Sequence, residues 1–225
     1  MARERGQHID VDVSHSLDLV ADPARVTQII SNLVVNAVKY TPSGGHIWVS
    51  ARERDGWIEI AVRDTGFGIP KEHQQRIFDL FTQDGRTLDK ARGGLGIGLA
   101  LVRRLAQLHG GSVHCESAGV GQGSTFTVLL PKHGRRQDIR SSPIAHAAAG
   151  IAPLSVLVVD DDRDSAESIA TLLRLDGHRV EVAFDGDEAC ELASQHMPKL
   201  VLVDLDLPGI DNHELVRRLR SARRA

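Results

Sequence analysis

Two kinds of hydrophobic patterning share this chain, and they meet in a stretch that follows neither. Before residue 133, periods of two and of 3.6 succeed one another without strict alternation. Beyond residue 153 they alternate as strand, helix, strand, helix, strand, helix. From His133 to Pro153 the residues run charged, then Ser-Ser-Pro, then Ala-rich, with no usable period. A chain of 225 residues divided in this way reads as two modest domains, 1–132 and 154–225, joined by a linker over 133–153. Mixed order in the first half predicts an α+β layout, a mixed sheet with helices on one face. Strict alternation in the second predicts an α/β fold with a parallel sheet.

In the first half, residues 8–13 alternate as a half-buried strand would, and so do Ile58, Ile60 and Val62. Between them Asp22-Pro23 forms a helix start, a cap followed by a first-turn proline. Val26, Ile29, Ile30, Leu33, Val34, Ala37 and Val38 then repeat at helical spacing until Thr41-Pro42-Ser43-Gly44-Gly45. A second helix is predicted from Ile97 to His109, closed by Gly110-Gly111, and strands over 112–117 and 124–130 follow. In the second half the strands are Val156–Val159, 179–183 and Leu200–Val203. The helices cover 164–175, 187–195 and a stretch from Glu214 onward. Two of these strands are unbroken apolar runs, as expected of parallel strands covered on both faces.

A net charge of −3 gives no general reason to bind nucleic acid, and the basic stretch Arg217 to Arg224 reads as a solvated helix face. Cys115 and Cys190 fit neither a disulfide framework nor metal-ligand spacing, which suggests the cytosol. No run reaches the roughly 18 apolar residues a membrane helix needs, and Met1 to Gly6 lacks a secretory apolar core.

The long helix carries a polar stripe beside its apolar one. Arg25, Gln28, Asn32, Asn36 and Lys39 fall about 120° from the centre of the apolar face at 100° per residue. Two amides and an ammonium in line suit a hard cation and a phosphate chain. Asp64 lies in phase with Ile58, Ile60 and Val62, so its carboxylate points to the apolar side and needs a donor there. Thr65-Gly66-Phe67-Gly68-Ile69-Pro70 lets backbone approach a flat ligand. Gly93-Gly94-Leu95-Gly96-Ile97-Gly98-Leu99 leads straight into a helix whose first amides attract phosphate.

In this order and spacing the segments resemble the ATPase domain shared by histidine kinases and the wider gyrase, Hsp90 and MutL superfamily. Asn32 to Thr41 looks like the N box, Asp64 to Pro70 the G1 box and Ile77-Phe78-Asp79-Leu80-Phe81 the F box. Gly94 to Leu99 looks like the G2 box, and Gly123-Ser124-Thr125-Phe126 is similar to the closing glycine–threonine segment. The resemblance implies a Bergerat-type sandwich that binds ATP and Mg²⁺. Asp64 would accept from the adenine amino group, Asn36 would ligate Mg²⁺, and Asn32 and Lys39 would meet the phosphates. Tyr40, Ile69 and Leu95 would line the pocket, residues 82–95 would form the lid, and Gly66, Gly68, Gly94, Gly96, Gly98, Leu99 and Thr125 would complete the nucleotide site. Hydrolytic relatives place a glutamate where this chain has Asn32. An amide is no general base, so the site holds ATP for a nucleophile other than water.

The second half resembles response-regulator receivers, through Val156 to Asp162 and Leu200 to Asp211. The resemblance implies that Asp204 is the phosphoacceptor, that Asp160 and Asp161 join it in holding Mg²⁺, and that the Asp206 carbonyl contributes. Clustered carboxylates at strand ends repel one another, and an oxygen-seeking cation relieves this. Roughly 70 residues match only the first three strands of the five-strand 2-1-3-4-5 order. The expectation is therefore a receiver without its fourth-strand hydroxyl and fifth-strand lysine, marginal as a monomer, with Leu200–Val203 as an open apolar edge.

No phosphorylatable histidine hairpin fits before His8, and His15 sits in a short polar link without the flanking residues of a histidine box. The function expected is the catalytic part of a hybrid histidine kinase. It would transfer the γ-phosphoryl of ATP to a histidine on a separate dimerisation domain or sensor kinase, with a response regulator or phosphotransfer protein as further partner. The alternatives are a non-catalytic ATP-binding signalling module, and a serine kinase or ATPase of the same superfamily.

Overall fold

The structure, a computed structural model, describes residues 2–14, 17–80, 82, 96–133 and 152–222, the side chains of Asn212 and Ala222 excepted. The chain divides into two compact units, residues 1–143 and 144–225. Within the first lie β1 (His8–Val13), α1 (Pro23–Tyr40), β2 (His46–Arg54), β3 (Trp57–Asp64), α2 (Gly98–Leu108), β4 (Ser112–Glu116) and β5 (Ser124–Pro131). The five strands form one sheet in the order β1-β2-β3-β5-β4, parallel only between β1 and β2 and antiparallel elsewhere.

Alternation fixes the faces. Ile58, Ile60, Val62 and Asp64 of β3 are buried together with Ser124, Phe126, Val128 and Leu130 of β5. Ile29, Leu33 and Ala37 of α1 and Leu101 and Leu105 of α2 are buried as well, the two helices packing on each other and on the sheet. Asp22 caps α1, its Oδ1 accepting from the Ala24 and Arg25 amides at 2.9 and 3.3 Å, and Pro23 opens the first turn. At the other end Thr41 takes extended backbone and donates its amide to the Ala37 carbonyl.

One expectation is corrected here and one element is new. Strand β1 exists, but it is exposed along its whole length instead of half-buried, because it is an edge strand whose apolar row Ile9, Val11 and Val13 reaches past the cover of the helices. Strand β2 was not anticipated. Its hairpin to β3 turns at Asp55-Gly56, both at positive φ (52° and 79°), the Asp-Gly pair that a tight hairpin between twisted strands favours.

In the second unit β6 (Ser155–Val159), β7 (Arg179–Ala183) and β8 (Leu200–Val203) form a parallel sheet in the order β7-β6-β8, with α3 (Arg163–Leu175), α4 (Gly186–His196) and α5 (Asn212–Ala222) between and after them. One core gathers Leu157 and Val159 with Ala189, Ala193 and Leu215, and another gathers Val156 and Val158 with Ala166 and Ala170. Strand β6 is thus covered on both faces. Strand β8 is not: Leu200 is 42% exposed and the rest half-buried, because no described strand pairs its outer edge.

Candidate nucleotide site and acidic cluster

At the end of β3, Asp64 is 5% exposed and its two carboxylate oxygens meet different donors. Oδ1 accepts from the Gly66 amide at 2.7 Å and Oδ2 from the Ser124 hydroxyl at 2.5 Å. A carboxylate offers about four lone-pair directions, so acceptor capacity remains for a ligand amino group. Tight backbone packing holds the loop after it. A Cβ on Gly66 would fall 2.5 Å from the Tyr40 carbonyl oxygen, one on Gly68 2.0 Å from that of Gly119, and one on Gly123 2.0 Å from that of Asp64. The Phe67 amide donates to the Tyr40 carbonyl, that of Gly121 to the Phe67 carbonyl and that of Ile69 to the Ser117 hydroxyl. The glycine loop is therefore clamped between the end of α1 and the β4–β5 turn.

On the helical side, the start of α2 rests on the amide stripe of α1. A Cβ on Gly98 would meet Asn32 Oδ1 at 2.6 Å and Asn36 Nδ2 at 4.0 Å. The Asn32 amide donates back to the Gln28 carbonyl at 2.9 Å, and Arg25 donates to Gln28 Oε1 at 3.2 Å. Among the described residues no side chain caps the start of α2, and no acidic residue sits in its first turn. Its first amides and the positive end of its dipole suit an anion beside the two asparagines. Lys39 and Tyr40 stand on the last turn of α1, with the ammonium 5.8 Å from the ring centroid. Half-buried Leu99 follows Gly98, and Gly96 takes φ +68° just before the helix.

Most of the expected nucleotide residues are thereby drawn to one end of the sheet. Thr125 stands at that end as well and lines the open cavity beside Asp64 and Ser124, but it pairs with Arg63 and, by alternation, lies on the opposite face from the one that buries Asp64. Ser124 takes that place. Sequence reasoning missed it by one position, although its phase with Phe126, Val128 and Leu130 carried the signal. Gly94, Leu95, Phe81, His15 and the expected lid beyond Thr82 lie outside the described residues. His46 bonds Asp10 at 3.0 Å and stacks on Trp48, while His109 holds the Leu105 carbonyl at 2.8 Å, so both serve the scaffold.

In the second unit, Asp160, Asp161 and Asp204 stand at the carboxyl ends of β6 and β8, each with a ligand oxygen within 4.8 Å of the others. Burial pushes the Asp160 carboxyl up to about 6, and the carboxylates of Asp204, Asp162 and Asp161 add to this against the opposing pull of the Asp162 amide. Asp162 caps α3 instead, accepting from the Asp164 amide at 3.0 Å. Three converging hard oxygens that destabilise one another's charge form a donor set that fits Mg²⁺.

Residues 21–134 match the family of histidine kinase-, DNA gyrase B- and HSP90-like ATPases, and residues 156–225 match the response regulator receiver domain. The virulence sensor protein BvgS of Bordetella bronchiseptica is 35% identical over 237 residues, covering all of this chain and 19% of BvgS. The sensor histidine kinase AruS of Pseudomonas aeruginosa is 38% identical over 197 residues, covering 86% of this chain and 19% of AruS. The chain spans about a fifth of the length of these relatives. The solved structure of full-length ShkA in complex with AMPPNP is similar with a TM-score of 0.51 at 26% identity, over 98% of this chain and 48% of that one. Among the described residues no helix is long and apolar enough to cross a membrane.

Proposed function

Because the chain belongs to the histidine kinase-, DNA gyrase B- and HSP90-like ATPase family and carries a response regulator receiver domain behind that ATPase domain, we propose that it is the ATP-binding catalytic part of a hybrid histidine kinase. The observation that carries this reading is the seat of Gly98 on Asn32 and Asn36, at the same end of the sheet as buried Asp64. That arrangement has an acceptor for an exocyclic amino group at one end and amides with an uncapped helix start at the other. An adenine and a phosphate chain present those two chemistries in one molecule.

Asp64 accepts from the adenine amino group while Ser124 and the Gly66 amide hold its carboxylate in place. Lys39, Asn32 and the first amides of α2 bind the phosphates. Asn36 would hold Mg²⁺, which supplies charge neutralisation when bound. Catalysis then rests on positioning, as in other phosphoryl transfers. An imidazole nitrogen of a histidine on a separate dimerisation domain bonds to the γ-phosphorus as the bond to the β-phosphate oxygen breaks, and ADP leaves. Asn32 cannot take a proton from water, which favours phosphotransfer over hydrolysis. In the receiver, Asp204 takes the phosphoryl from phosphohistidine, with Asp160 and Asp161 as the cation's ligands. Reduced thiols at Cys115 and Cys190 suit the cytosol as its place.

Calorimetry with Mg·ATP tests the pocket. Asp64→Asn removes a charge-assisted hydrogen bond of about 1.5–3 kcal/mol, so affinity falls roughly 10- to 100-fold. Ser124→Ala lowers it by a smaller factor. With a separately supplied histidine-bearing dimerisation domain, labelled ATP yields acid-labile phosphohistidine. Absence of nucleotide uptake by the folded protein, or acid-stable phosphoserine as the product, overturns the reading.

A further inference from the structure

The last turn of α1 carries Asn36, Lys39 and Tyr40, and beyond Ala37, whose carbonyl takes the Thr41 amide, the carbonyls of Val38, Lys39 and Tyr40 have no partner within the helix. The segment ahead of β1 takes up two of them. Gln7 Nε2 donates to the Val38 carbonyl at 2.9 Å and to the Thr41 carbonyl at 2.6 Å, while an Arg5 guanidinium nitrogen donates to the Val38 carbonyl at 2.8 Å and reaches that of Lys39 at 3.5 Å. The remaining carbonyl, that of Tyr40, receives the Phe67 amide from the glycine loop. The end of α1 is thus gripped from one side by residues 5–7 and from the other by the loop that follows Asp64. Backbone bonds anchor the strap at both ends, from the Gly44 amide to the Arg5 carbonyl and from the His8 amide to the Gly45 carbonyl.

Stability alone does not explain Gln7. It is 8% exposed, and among the described residues neither its Oε1 nor the Oγ1 of Thr41, which is 1% exposed, has a hydrogen-bond partner. An orphaned Oε1 costs about 1–3 kcal/mol and offsets much of what its two donated bonds return, while an apolar side chain of the same size would leave the Thr41 carbonyl without that donor and the Val38 carbonyl to Arg5 alone. What an apolar side chain would lack is the hold on two carbonyls flanking Lys39.

We propose that Gln7, assisted by Arg5, is a positioning residue of the nucleotide site: its hold on the Val38 and Thr41 carbonyls fixes where Asn36 and Lys39 stand, and so tunes recognition of the phosphates but not of the base. The inference rests on the ATP-site reading given above. It also makes residues 2–7 the element through which anything pulling on the start of the domain reaches the phosphate end of the pocket.

The test uses the full chain with Gln7→Met, which keeps the volume and removes both donors, and Arg5→Met as a second variant. Titrations with Mg·ATP and with adenosine separate the two ends of the pocket. Expected is a loss of roughly tenfold in Mg·ATP affinity with adenosine affinity unchanged, alongside a small fall in melting temperature from the Thr41 carbonyl left without its donor. In the nucleotide-free protein, the Asn36 side-chain and Lys39 backbone amide resonances shift while those around Ser112 stay. A parallel loss for both ligands shows mere scaffolding and overturns the proposal, as does unchanged Mg·ATP affinity. Should the unaltered chain bind no nucleotide, the ATP reading falls and the resonance comparison alone decides the strap: no shift at Asn36 and Lys39 sinks it.

Discussion

Asp160 and Asp64 are both buried carboxylates, and their surroundings give them opposite tasks. Asp64 has a hydroxyl and a backbone amide to satisfy it, whereas Asp160 has one amide, from Asp162, and three carboxylates for neighbours. Burial first and those charges second raise the Asp160 carboxyl from 3.8 to about 6. The folded state then holds this proton more tightly than the unfolded chain does. The difference has no effect on stability below about 4, costs stability increasingly as pH rises from there to about 6, and levels off above it. In a chelator-treated sample, the melting temperature of the receiver unit should therefore fall as pH goes from about 4 to 7, and Asp160→Asn should flatten that slope. A slope unchanged by the substitution would refute the assignment. At this scale the sequence had shown which carboxylates cluster, since strand ends in a parallel sheet converge. It had not shown that Asp64's donor is Ser124, because that depends on how β3 and β5 are registered.

Among the elements, α2 and the two glycine-rich turns behave differently toward the same substitution. A methyl at Gly68 or Gly123 would meet a backbone carbonyl oxygen at 2.0 Å, at positions whose φ is +66° and +67°. Neither neighbour can yield, so alanine there should melt the clamp and cost well over the ~1 kcal/mol of an ordinary positive-φ penalty. At Gly98 the obstacle is the tip of the Asn32 side chain, 2.6 Å away, which can swing aside. Alanine is a better helix former than glycine by about 1 kcal/mol. Gly98→Ala should hence leave stability level or slightly raised while weakening Mg·ATP binding roughly tenfold, because the displaced amide no longer faces the phosphates. Circular dichroism melts alongside calorimetry would show whether the two quantities part in this way. The helices themselves were legible from Asp22-Pro23 and from the 3.6-residue period. Strand β2 has its signal too, in Asp55-Gly56, but its alternation is diluted by Trp48, apolar on the polar row, and by Glu53, charged on the apolar row.

For the molecule as a whole, the two units differ in how completely they enclose themselves. The first wraps two helices over one face of five strands, while the second has three strands with the outer edge of β8 unpaired among the described residues. A smaller core buries a smaller share of its surface and is less stable. Scanning calorimetry of the full chain should then show two transitions, the lower one belonging to the receiver, with ATP added at constant Mg²⁺ raising only the upper. A single transition moved as a whole by nucleotide would contradict this. The division into two units, the fold class of each and the choice of candidate nucleotide and acidic residues followed from residue order, since periodicity, caps and glycine spacing are local properties of the chain. That Ser124 stands opposite Asp64, how bare β1 lies, and that residues 5–7 close the end of α1 from more than 30 positions away were settled only by tertiary packing. Strand register, edge position and long-range capping arise between segments, and no local pattern encodes them.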